Sequence, residues 1–246
     1  MKKLNWQILL GIGLIALSAG IYFFHYLTFH DLHHIFIYLV GDIAFVPIEV
    51  LLVTLIIHRL LHQREKKILL KKMNMVIGVF FSEVGTTLLS DLTQLIAHQE
   101  ELSQKLCLNG SWSKRQFLAM EKDLRKYAYT INIQHDKLAQ LTEFFRERKE
   151  FILRLLQNPN LLEHDSFTDL LWSVTHLAEE LLSRQDVYSL PQTDYEHLRG
   201  DIKRVYSRLI GEWVSYMLHL KESYPYLFSL AIRTNPFDPN RSICVK

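Results

Sequence analysis

Two carboxylates stand where carboxylates are rare. The segment YLVGDIAFVPIEVLLVTLIIHRLL carries Asp42 and Glu49 inside an otherwise apolar run. They are seven positions apart, which on a helix puts them near one face, about two turns from each other. An ionised acid at the centre of a bilayer costs roughly 2.5–3.5 kcal/mol on insertion scales, so such groups face a partner, water or a bundle interior. No Lys or Arg lies deep in either apolar stretch of the chain to neutralise them. Copies arranged around an axis would stack these acids as two rings that attract cations and repel anions. Pro47 sits between them. It removes a backbone donor and predicts a kink. A second reading starts the helix at Gly41–Asp42, with residues 30–40 as a short interfacial element and Asp42 as a cap near the headgroups.

Imidazoles form the next candidate group. His25, His30, Asp31, His33 and His34 fall within about ten residues, a composition suited to weak metal binding or to sensing pH. Their spacing fits no strict ligand motif, and interfacial positions explain them as well. Further along, His176 and Glu180 are four apart on one expected helix, beside Glu179. Tyr195, Glu196, His197 and Asp201 open the next long one. These groups can meet in a bundle, but the Glu-x-x-His pairs of di-iron bundles are missing, so surface and capping roles are expected of them. There is no phosphate-binding loop, no dinucleotide turn and no nucleophile elbow in the sequence, so no catalytic residue is assigned, no enzyme is expected and no cofactor is called for. Asp42-Ile43 with Pro47 is loosely similar to the pore motif of mitochondrial calcium uniporters. The glutamate here follows the proline at a different spacing, and no family is assigned on that likeness.

The elements that must position these groups begin with two apolar stretches, about 6–26 and 35–61. Each is long enough to span about 30 Å of hydrocarbon as a helix. Trp6, Tyr22 and Tyr26 suit the interfaces. A cleaved leader is the rival reading of the first stretch, since Lys2 and Lys3 precede it. The link, 28–34, contains no Lys or Arg. After the second stretch come Arg59, Arg64, Lys66, Lys67, Lys71 and Lys72, a basic flank that also meets anionic lipid heads. By the positive-inside rule both termini face the cytoplasm of a multi-pass protein of the cell (inner) membrane. Gly13, Ala16 and Gly20 share a face of the first helix and mark it for close packing, within or between copies.

Residues 64–232 read as helix, with Gly and Pro at boundaries. Expected helices run about 64–106, 113–157 and 166–185, then one of about 30 residues after Pro191 and a short one from Pro225. Leu70, Met73, Ile77, Phe80, Val84 and Leu88 form an apolar stripe that needs the domain core, another copy or the membrane against it. Trp172, Trp213, Tyr206, Tyr216, Tyr226 and Phe228 are expected in the core. The fold class is therefore all-α: a two-span transmembrane hairpin (1–63), a cytosolic elongated four-helix bundle (64–232) and a polar tail (233–246). Cys107 and Cys244 are expected as free thiols. A net charge of +2 excludes nothing but gives no reason to invoke nucleic acid. The expected partners are the lipid bilayer, other copies of the chain and cations. The expected function is a homo-oligomeric, cation-permeable channel with a cytosolic assembly or gating domain. Its rival is a non-conducting membrane-anchored scaffold or sensor that binds a protein or small ligand.

Overall fold

The structure, a computed structural model, describes the backbone of residues 6–159, 161 and 164–244; the side chains of Gln7, Lys66, Lys67, Leu69, Leu70 and Lys71 lie outside the described residues. It is all-α. Two compact units divide at Lys66/Lys67.

The first unit holds α1 (Trp6–Phe29) and the membrane-length part of α2 (Leu32–Phe80). Between them His30 takes a left-handed φ of 51°, which turns the chain in two residues. The stretches Ile8–Phe29 and Leu32–Glu65 are long and apolar enough to cross a membrane, and none of their apolar windows is buried within the protein. Helices that are apolar on every side need lipid or other helices around them, which suggests membrane association. α2 runs unbroken through Gly41, Asp42 and Pro47, so Asp42 is eleven residues into a helix and is not its cap.

The second unit is a helical bundle with its own core. It contains the end of α2, a π turn (Phe81–Gly85), α3 (Thr86–Thr93), α4 (Gln99–Leu106), α5 (Lys114–Lys126), α6 (His135–Leu156), α7 (Asp165–Leu182), α8 (Gln192–Ser223) and α9 (Pro225–Arg233). α8 runs through the middle, with α5, α7, α9 and α3 against it, and α6 packs on α7. A third stretch, Lys72–Thr93, also has the length and hydropathy of a span, but half of it is buried in this core. Met73, Ile77, Phe80, Val84 and Leu88 are all buried, so the core of their own domain covers the stripe.

Apolar positions 77, 81, 85 and 89 recur every four residues, which drifts around an α-helix of 3.6 residues per turn. The π turn takes up that drift. Thr86 donates its backbone N–H and its hydroxyl (2.8 Å) to the Phe81 carbonyl, and the neighbours Phe80 and Phe81 both reach the core. Only glycine fits at 85. A Cβ there would lie 2.6 Å from the Phe81 ring and 2.7 Å from the Phe80 ring.

Two expected helices are each broken in two. The 64–106 helix stops at Thr93, and Ile96 pairs with Ile131 through Ala97 N–H to Thr130 O (2.9 Å) and Asn132 N–H to Leu95 O (2.7 Å). The 113–157 helix opens with a capping box, Ser113 with Gln116, but stops at Lys126, and residues 127–134 are not helical. The α7 cap is His164, whose Nδ1 accepts the Phe167 N–H at 3.1 Å; Ser166, where the sequence starts this helix, already lies inside it. The polar tail folds back: Asn235 donates to the Leu106 carbonyl (2.8 Å), and Phe237 packs against Trp213. Among the expected core aromatics Tyr206, Trp213 and Phe228 are buried and Tyr216 is half-buried. Trp172 is 61% and Tyr226 71% exposed.

His219, on α8, is half-buried against Asn74, whose amide lies 3.2 Å from its Nδ1. Burial pushes its pKa below the ordinary 6.5, against a smaller opposing pull from Glu222. The unfolded chain therefore binds a proton that the folded chain resists, and stability falls as pH drops below about 6.5. Denaturant midpoints of the full chain between pH 7 and 5 are expected to fall less in His219→Gln than in the parent. Equal falls would exclude His219 as a source of the pH dependence.

Candidate functional site

Asp42, Pro47 and Glu49 lie on the continuous α2 with their side chains exposed, and neither acid meets a hydrogen-bonding or ion-pairing group among the described residues. Glu49 is ten residues from Arg59, about 15 Å along the helix, too far for an ion pair. A Cβ built on Gly11, Gly13, Gly20 or Gly41 meets nothing within 4 Å, so the small-residue face of α1 is open. At the turn, Asp31 Oδ1 accepts the His34 N–H at 3.1 Å and satisfies a free donor at the start of α2. The His25 ring stacks at 6.1 Å from His34 and tilts at 4.8 Å against Phe29, and His30 lies 6.0 Å from Tyr26. His25, His30, Asp31, His33 and His34 do not converge on one point. Arg59 and Arg64 are exposed, as is Lys72; the side chains of Lys66, Lys67 and Lys71 lie outside the described residues.

The groups that do converge lie between α7 and α8. Residues 176 and 180 of α7, and 184 just past its end, meet 201, 197 and 194 of α8 in reverse order, so the helices are antiparallel. His176 and Glu180 are one turn apart on α7, as are His197 and Asp201 on α8. His176 Nε2 lies 3.9 Å from Glu180 Oε1 and 3.5 Å from Asp201 Oδ2. His197 Nε2 lies 3.6 Å from Glu180 Oε2 and 3.2 Å from Asp201 Oδ2. Among the described residues His176, Glu180 and His197 form the one group of three such side chains whose ligand atoms lie within 4.8 Å of one another.

Arginines hold the two carboxylates from outside. Arg184 Nη1 donates to Glu180 Oε2 (2.7 Å), while its Nε and Nη2 grip Asp194 at 2.8 and 2.6 Å. Arg204 Nη1 donates to Asp201 Oδ1 at 2.7 Å. The guanidinium of Arg184 holds the Glu180 and Asp194 carboxyls below their usual range, so both stay ionised. Asp201 is 2% exposed, and its Oδ2 accepts no hydrogen bond. The imidazoles are half-exposed, so the cluster is open to solvent on the histidine side and closed beneath Asp201. Sequence spacing had brought these side chains onto two facing helices. It gave no sign that Asp201 is buried or that two arginines brace the carboxylates.

The chain matches two family models in succession: the N-terminal helical domain of MJ1433 over residues 2–61, and the C-terminal helical domain of the uncharacterized protein MJ1433 over residues 69–233. It is similar to the uncharacterized protein MJ1433 of Methanocaldococcus jannaschii, 44% identical over 246 residues, which is 100% of this chain and 98% of that one. No solved structure matches.

Proposed function

The chain belongs to the MJ1433 family of two-part helical proteins, and from that premise we propose that it is a homo-oligomeric, multi-pass protein of the cell membrane whose α2 helices together line a cation-permeable path. Asp42 and Glu49 act as the charge-selecting groups, Pro47 bends the lining helix, and the helical domain on the cytoplasmic side assembles or gates the oligomer.

The observation that supports this is the placement of the two acids inside an uninterrupted apolar helix, with no partner among the described residues. Facing lipid, two such acids cost roughly 5–7 kcal/mol together, a penalty comparable with the whole stability of a small domain. A shared, hydrated axis removes it. The open glycine face of α1 fits the same arrangement, because helices in lipid associate through close approach at small residues.

The full chain, purified and reconstituted in liposomes, is expected to pass cations. Asp42→Asn with Glu49→Gln is expected to lower the flux roughly tenfold or more, since one charge about 4 Å from an ion contributes about 1 kcal/mol even in water and each ring carries several. Flux that both substitutions leave unchanged would remove the channel reading. The second reading, a non-conducting membrane-anchored scaffold or sensor, draws support from the separate core of the helical domain. It is favoured if liposomes holding folded, oligomeric protein stay tight.

A further inference from the structure

We propose that His176 Nε2, Glu180, His197 Nε2 and Asp201 Oδ2 form a binding site for one divalent transition-metal ion between α7 and α8. The ion belongs to the zinc, iron, cobalt and manganese class, which takes imidazole and carboxylate together. The inference concerns the helical domain alone and does not depend on conduction by the membrane helices.

Three independent observations converge on it. The first is spacing. Ligands about 2.1 Å from a tetrahedral ion stand about 3.4 Å from one another, and the four nitrogen–oxygen distances here are 3.2, 3.5, 3.6 and 3.9 Å. His176, Glu180 and His197 have ligand atoms within 4.8 Å of one another, and Asp201 Oδ2 stands beside both imidazoles, so the fourth corner is completed by movement of Glu180 and Asp201 toward the ion. The second is Asp201 Oδ2, a carboxylate oxygen shut away from water that accepts no hydrogen bond even with both imidazole nitrogens beside it, although the other oxygen of the same group is bonded to Arg204. The third is bracing. Ligating carboxylates need outer hydrogen bonds to fix their direction, and Arg184 and Arg204 supply one to each.

Ion pairing alone explains the arrangement less well. Both imidazole nitrogens lie within 3.5 Å of the same carboxylate oxygen. Two imidazolium ions placed there would repel each other, whereas one cation at the centre uses all four groups with both imidazoles neutral. The half-exposed imidazoles leave the ion a route in from solvent.

The test uses the full chain in detergent, stripped with chelator and titrated with Co2+ alone. The expected result is a visible d–d absorption that saturates at one ion per chain and is abolished by Zn2+. His176→Ala with His197→Ala, both at half-exposed positions, is expected to remove the band while far-ultraviolet circular dichroism stays unchanged. Arg204→Gln keeps every ligand and is expected to weaken binding roughly 10–100-fold, as losses of bracing groups do. Glu179→Gln, next to the cluster but outside it, is expected to bind like the parent. A folded parent chain without stoichiometric Co2+ binding would overturn the assignment. So would a band that survives the double histidine substitution, which would place the ion on other histidines such as those near residue 30.

Discussion

Phe80→Ala is expected to destabilise the helical domain by about 3–5 kcal/mol, the range for deleting a fully buried aromatic ring. Phe80 has no exposed surface. It meets Phe81 edge-on at 5.2 Å and Phe167 edge-on at 5.3 Å, so the ring joins the end of α2 to α7. Each such aromatic pair adds about 0.5–1.5 kcal/mol beyond the area it buries. The π turn begins at the next residue and Gly85 sits against the same ring, so the backbone has little freedom to collapse into the vacated space. Against a total stability of about 5–15 kcal/mol the loss is large. Denaturant unfolding of the full chain in detergent, followed by near-ultraviolet circular dichroism, measures it. Val79→Ala, at a neighbour that is 45% exposed, is expected to cost no more than about 0.5 kcal/mol and serves as the control. A Phe80→Ala loss no larger than that of the control would contradict the packing described for this face.

Arg184→Met is expected to cost about 2 kcal/mol. The guanidinium is mostly buried and grips Asp194 with two nitrogens and Glu180 with a third. It also donates to the Glu180 carbonyl, so it ties the end of α7 to the start of α8 across the loop between them. Methionine keeps much of the packed volume but leaves two ionised carboxylates without their cation. Hydrogen bonds to charged groups contribute about 1.5–3 kcal/mol, and partial exposure of both acids lowers the figure. A double-mutant cycle with Asp194→Asn is expected to show coupling of at least about 1 kcal/mol. Additivity within about 0.3 kcal/mol would mean that the clamp is ornamental to the fold.

Periodicity made the helical faces legible. Leu138, Leu141, Phe145, Ile152 and Leu155 recur at three-, four- and seven-residue steps on one face of α6, and all are buried. The capping box at Ser113 was visible because both of its partners are local. The bend at 127–134 carries a weaker signal. In YTINI the buried Tyr129 and Ile131 alternate with exposed Thr130 and Asn132, which is strand spacing with strand-favouring residues. Nothing in QLIAHQ marks its break, because the pairing with Ile131 is tertiary and neither glycine nor proline stands there. Trp172 was misplaced for another reason. Its neighbours Leu170, Leu171 and Val174 are buried, and hydropathy alone does not say where the stripe ends. The tail reads as polar because charged, amide and hydroxyl side chains outnumber its apolar ones, yet the Leu106 carbonyl holds Asn235 inside.

The apolar stretch Lys72–Thr93 has a consequence during synthesis. It leaves the ribosome directly after two helices of membrane length, with a hydropathy that an insertion machine would accept. The rings that cover it, Phe167, Tyr206 and Tyr216, come from positions far downstream. At translation rates of about 5–20 residues per second, more than a hundred residues of delay leaves this segment uncovered for roughly 6–25 s. In that interval the choice between lipid and core rests on nascent-chain kinetics.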